Sequence, residues 1–230
     1  MIKDDFHRYY TVMYFIATHD SNHQFEKLLQ SLVHTSNTIV QEILRRFFVQ
    51  LIDLGPKLAK YLLKLLMDEL VSSWKLDQNE ISKNLKSSNN DFGRLVAFLA
   101  SLIATRSGKC AVLSILNSSD DKYSKLFKDM FELIHLRAES NETCLCQEAI
   151  MLIIQNLCDG NQCLSKSSEN NLENLANALP NDEMLSLILT NLCRFLSKTK
   201  NQQTWTQTTM AIRTMISLTE HDYGLQKIQT

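Results

Sequence analysis

The chain has 230 residues, 44% of them hydrophobic and 21% charged, with a formal net charge of −1. That is enough apolar material for a sizeable core and excludes a disordered chain, while near-neutrality removes any global pull toward nucleic acid or an anionic membrane. Only five Gly and two Pro occur, too few for the turns of an all-β or α/β protein, so the composition predicts long helices.

The opening residues MIKDDFHRYYTVMYFIATHD place charges before a short apolar stretch and carry no small-residue cleavage site. They predict a first amphipathic helix over Phe6–Thr18, not a secretory signal. Asn22 is a cap for a second helix, with Phe25, Leu28, Leu29, Leu32 and Val33 on one face. Ser36 or Asn37 caps a third, in which Val40, Ile43, Leu44, Phe47, Phe48 and Leu51 recur at three- and four-residue steps. Gly55-Pro56 ends that helix and starts a fourth that runs to Trp74, since proline suits a first helical turn.

Residues 77–91 are polar and read as a loop, dividing an N-terminal block (1–76) from a repeat-like block (92–230) within one helical domain. Asp91 caps a helix Phe92–Thr105; a short helix Ala111–Leu116 follows, and then one from Asp121 to Leu136 with Tyr123, Leu126, Phe127, Met130, Phe131 and Ile134 inward. Asn141 or Thr143 opens a helix ending at Leu157. After a polar stretch, Cys163–Asn171, come Leu172–Leu179, Met184–Leu196 and Thr204–Leu218. No run of 18 or more apolar residues exists, so no membrane insertion is expected.

Three stretches repeat one pattern, an apolar helix, a short polar break and a second apolar segment: Leu95–Leu116, Glu148–Leu164 and Met210–Ile228, with Gly108, Gly160 and Gly224 in the breaks. Recurrence of one helical unit is the mark of a stacked array, because a single unit cannot bury its own apolar face. Gln147–Gly160 (QEAIMLIIQNLCDG) resembles the third helix of an armadillo repeat through Ala149, Leu152, Asn156 and Leu157. Met210–Leu218 resembles it again through Ala211, Met215 and Leu218. The resemblance covers the last 140 or so residues. It implies an all-α, armadillo/HEAT-like α-solenoid of stacked antiparallel helices. The matching leucines Leu102, Leu157 and Leu218 are 55 and 61 residues apart, longer than the family's usual ~40–47, so the units are long or degenerate. The family's helix-bending glycine and its regular asparagine ladder are absent, which argues against extended-peptide binding of the transport-receptor kind.

Each feature with chemical potential has a plain structural reading beside it. His19, His23 and His34 lie close in sequence, but a helix break separates the first two and no four-ligand spacing is completed. Cys144, Cys146, Cys158 and Cys163, with Cys110 and Cys193, sit mostly inside apolar runs and are expected to be reduced and packed. Ser107-Gly108-Lys109 lacks the earlier glycine that a phosphate loop requires, and reads as a helix break. Arg45, Arg46, Lys57, Lys60 and Lys64 form a candidate anion-binding face, though amphipathic helices place solvated charges in the same way. The aromatics Tyr9, Tyr10, Tyr14 and Phe15 exceed what one helical face can bury. They mark the N-terminal end as the candidate partner-binding or self-association surface.

No hydrolase, zincin or dinucleotide motif occurs, so no enzyme, metal or cofactor is expected. The expected function is a non-catalytic scaffold or adaptor that binds another protein, in the cytoplasm or nucleus. By analogy such degenerate repeats belong to larger adaptors, at centrosomes or cilia or beside a checkpoint kinase, with this chain as a fragment. The alternative is a nucleic-acid-associated repair or meiotic factor using the basic helix face, against which the near-neutral charge argues.

Overall fold

The computed structural model describes residues 27, 29, 30, 37–77, 91–116, 121–135, 141–158, 182–197 and 205–219. Every element among them is helical: α1 (Thr38–Ile52), α2 (Pro56–Asp77), α3 (Asp91–Ile103), α4 (Arg106–Leu116), α5 (Asp121–Glu132) with a 3-10 turn (Leu133–His135), α6 (Asn141–Cys158), α7 (Asp182–Ser197) and α8 (Trp205–Thr219). The chain is therefore all-α over the described residues. The helices expected over Phe6–Thr18, Phe25–Val33 and Leu172–Leu179 lie largely or wholly outside them.

Local chemistry sets the helix ends. Asn37 caps α1, its Oδ1 accepting from the amides of Ile39 (3.0 Å) and Val40 (3.3 Å). Gly55 caps α2, its carbonyl accepting from the Ala59 amide at 3.0 Å, and Pro56 fills the first turn where no amide proton is needed. Thr105 caps α4: its hydroxyl accepts from the Gly108 amide at 3.0 Å and donates to the Leu102 carbonyl at 2.8 Å.

The break between α3 and α4 thus falls at Ala104-Thr105, and α4 starts at Arg106, five residues before the expected helix start at Ala111. Gly108 is not in a loop but in the first turn of α4, which leaves α3 at 112°. It is buried there because α4 lies directly on the end of α3. A Cβ at position 108 would sit 2.0 Å from the Leu102 carbonyl oxygen.

The helices pack in two rows. In the first, α1 lies beside α3, α3 beside α6 and α6 beside α8; in the second, α2 lies beside α4 and α5, and α5 beside α7. In the core Phe48 packs against Phe98 (centroids 5.4 Å apart) and Phe127 against Phe131 (5.8 Å). All six residues expected to point inward from Asp121–Leu136 are buried.

Hydrogen bonds between neighbours within a row join residues at a nearly constant separation. Arg45 reaches Ser101 (56 residues on) and Lys60 reaches Ser114 (54). Tyr123 donates to Asp68 and Trp74 to Asp129 (55 each), so α2 and α5 run parallel. Gln155 donates to the Met210 carbonyl (55) and to the Thr214 hydroxyl (59), and Asn191 to the Phe131 carbonyl (60). Leu102, Leu157 and Leu218 recur at similar spacings of 55 and 61 residues, and all three are buried.

Two buried amides close the C-terminal end of α5. Gln147 Nε2 donates to the carbonyls of Leu133 (3.0 Å) and Ile134 (3.2 Å), while Asn191 Nδ2 donates to that of Phe131 (3.1 Å). Helix-end carbonyls away from water need such donors, and here α6 and α7 supply them.

Candidate functional site

A concavity lies over the first row. Along α3 and into the turn that ends it, Ala97, Ala100, Ser101 and Ala104 follow each other at i, i+3, i+4, i+7 steps. Their short side chains leave a trough between the longer ones of α1 and α6. The trough has a volume of about 850 Å3 and is walled by Arg45, Arg46 and Val49 on one side and by Leu145, Glu148 and Leu152 on the other. A smaller hollow of about 220 Å3 continues it between α1 and α3, bordered by Thr38, Arg94 and Phe98.

The α1 wall is held by charge. Glu42 accepts from Arg45 Nε (2.9 Å) and Arg46 Nε (2.6 Å), and Arg45 Nη1 donates to Ser101 Oγ at 3.0 Å, linking α1 to α3. The Arg46 and then the Arg45 hydrogen bonds hold the Glu42 carboxyl below its ordinary range. The α6 wall carries two leucines beside Glu148. Leu145 is 61% and Leu152 41% exposed, although both are large hydrophobic residues. Partial burial among them pushes the Glu148 carboxyl up. The two hollows together are lined by the cations Arg45, Arg46 and Arg94, the carboxylates Glu42 and Glu148, apolar side chains and the hydroxyls of Thr38 and Ser101.

The five cations expected to form one anion-binding face are divided between the rows. Arg45 and Arg46 border the trough, while Lys57, Lys60 and Lys64 lie on α2 in the second row, exposed. Lys60 donates to Ser114 on α4 at 3.1 Å. Lys60→Glu is expected to change stability by no more than about 0.5 kcal/mol, as at other surface positions, and a thermal melt checks it. Tyr9, Tyr10, Tyr14 and Phe15 lie outside the described residues, as do His19, His23 and His34.

At Ser107-Gly108-Lys109 the backbone is packed on α3 and Lys109 is buried. None of the described cysteines forms a disulfide, and burial pushes the Cys146 and Cys158 thiols up to about 12. Cys110 and Cys193 depart from the expected packing, since both are exposed. They sit on the outer side of short apolar runs, where helical rotation carries one residue in three or four to solvent. A maleimide is expected to label Cys110 and Cys193 in the folded chain, and Cys146 and Cys158 only on unfolding, as peptide mapping would show. No group of three or more His, Cys, Asp or Glu among the described residues could hold a metal ion. No single described helix is long and apolar enough to cross a membrane.

The trough was not singled out from sequence, but a signal for it exists. Positions 149–154 (AIMLII) are apolar without a break, and one helix cannot turn all six into a core on one side. Leu152, quoted above for its likeness to an armadillo helix, is the residue left outside.

No family model matches the chain. Among curated proteins it is similar to the protein virilizer homolog of Homo sapiens, 31% identical over 215 residues, which cover 88% of this chain and 12% of that protein. The Mus musculus homolog is 30% identical over the same length. The protein virilizer of Drosophila melanogaster is 29% identical over 207 residues, covering 89% of this chain and 10% of the fly protein. The chain therefore spans about an eighth or less of the length of these relatives. The centrosomal, ciliary and checkpoint settings expected by analogy find no counterpart in these names and give way to a likeness to virilizer proteins.

Proposed function

We propose that the chain is a non-catalytic, protein-binding scaffold: an array of stacked helical units of armadillo/HEAT type, like a stretch of a virilizer protein. The observation that carries this is the constant interval of 54 to 60 residues between hydrogen-bonded neighbours in each row. A translation of one unit onto the next generates a long surface without enclosing a site, and such surfaces hold other proteins. The trough over α3, with exposed leucines on its wall, supports the same reading. The scaffold works inside the cell, in cytoplasm or nucleus, where thiols stay reduced.

Affinity capture from cell extract with the folded chain, read by mass spectrometry, tests this. A protein retained in near-stoichiometric amount after nuclease treatment is the expected result. A second reading places nucleic acid on Lys57, Lys60 and Lys64, because α4 beside them and the first half of α2 contain no carboxylate. It requires nuclease-sensitive capture and a steep fall of affinity with salt.

A further inference from the structure

We propose that the first row continues from molecule to molecule, α8 of one copy stacking on α1 of a second copy of the chain; this rests on the stacked-unit reading and gives it a partner. Leu102 and Leu157 are 55 residues apart, and Leu157 and Leu218 are 61 apart. The same steps align Arg45, Ala100, Gln155 and Ile216, one residue on each helix of the row. Arg45 and Gln155 both face the helix that follows, Arg45 donating to Ser101 on α3 and Gln155 to Thr214 on α8. The side chain at the aligned position of α8, Ile216, is 51% exposed.

The opposite face obeys the same register, in which Ile43, Phe98, Ile153 and Thr214 align. Phe98 and Thr214 both meet the helix that precedes them, Phe98 through Phe48 (5.4 Å) and Thr214 through Gln155 (2.8 Å). Ile43, at the aligned position of α1, is 60% exposed. Positions that join helix to helix inside the row are therefore exposed at both ends of the described row, and both ends are apolar. Ile39, one turn before Ile43, is exposed beside it, and Trp205, Ile212 and Ile216 share a face of α8 at i, i+7, i+11 steps, all exposed. What covers such a stripe inside the row is another helix of the same register, and α1 of a second copy presents one. The contact joins unlike faces, so each copy in a stack still offers one end to the next.

Sedimentation velocity of the whole chain over a concentration series tests this. The mass is expected to rise with concentration past that of a dimer, as an open head-to-tail contact requires. Ile39→Glu with Ile43→Glu closes the α1 end, and Ile212→Glu with Ile216→Glu closes the α8 end. Each pair is expected to weaken association by at least about tenfold, the size of a lost anchor. Mixed one to one, the two variants are expected to form a dimer and go no further, because one keeps its α8 face and the other its α1 face. Leu145→Glu, exposed on the trough wall, should associate as the wild type does. Circular dichroism and melting curves confirm that each variant is folded, and serine replaces glutamate wherever the fold is lost.

A wild type that stays monomeric across the series, or association that either end variant keeps, overturns the proposal. So does a wild type that stops at the dimer, or a mixture that fails to restore association, since either marks a contact between like faces. The stacked arrangement fails separately, when Trp74 and Asp129, bonded from α2 to α5, show no energetic coupling. Absence of self-association with that coupling intact removes the end contact and leaves the array standing.

Discussion

Leu157→Asp is expected to unfold the chain or to destabilise it by at least about 3–5 kcal/mol, the range of severe core damage. Leu157 has no exposed surface and lies near the end of α6, the helix that packs on both α3 and α8. A carboxylate there would be stripped of water, and the leucine's own packing would be lost. Urea denaturation of the variant against wild type measures the effect. Lys60→Glu, with a charge change of two, is the reference: if the two variants melt alike, the assignment of buried and exposed faces is wrong.

Gly108→Ala is expected to destabilise by about 1–3 kcal/mol, as overpacking against fixed backbone does. The sign is informative, because glycine to alanine inside a helix ordinarily stabilises by up to about 1 kcal/mol. At Gly108 the added methyl would lie 2.0 Å from the Leu102 carbonyl oxygen and 2.7 Å from its carbon, and neither is a flexible side-chain end. The end of α3 must move away from α4, and the Thr105 bonds that fix the 112° bend move with it. Gly55, where an added Cβ meets nothing within 4 Å, is the control, and Gly55→Ala should cost much less. Thermal melts of the two alanine variants decide between a packing role and a loop role for Gly108.

Helix positions were legible wherever apolar residues recur at three and four. The expected starts at Ser36 or Asn37, Pro56, Asp91, Asp121 and Asn141 or Thr143 fall on or near the observed ones, because caps and first-turn proline act through nearest neighbours. The spacing of Leu102, Leu157 and Leu218, 55 and 61 residues, is close to the separation of several hydrogen-bonded pairs. Two things were not legible. Gly108 looked like a break because glycine marks breaks on average, yet here a neighbouring helix demands the missing side chain, which is a tertiary requirement. The trough was hidden because Ala97, Ala100, Ser101 and Ala104 look like ordinary helix formers, and only the helices on either side turn them into a floor. The basic set failed to gather for a related reason. Arg45 and Lys60 both belong to amphipathic helices, but α1 and α2 enter different rows, which no local pattern records.

The proposed scaffold requires one unit to lie over the next at a nearly fixed offset. A double-mutant cycle on Trp74→Phe and Asp129→Ala, 55 residues apart, tests this most directly. Trp74 Nε1 donates to Asp129 Oδ2 at 2.8 Å, from α2 to α5. A coupling free energy of about 1 kcal/mol, appropriate to a part-buried bond to a carboxylate, is the predicted result. Additive losses, with no coupling beyond error, would contradict the stacked arrangement on which the proposed scaffold is built.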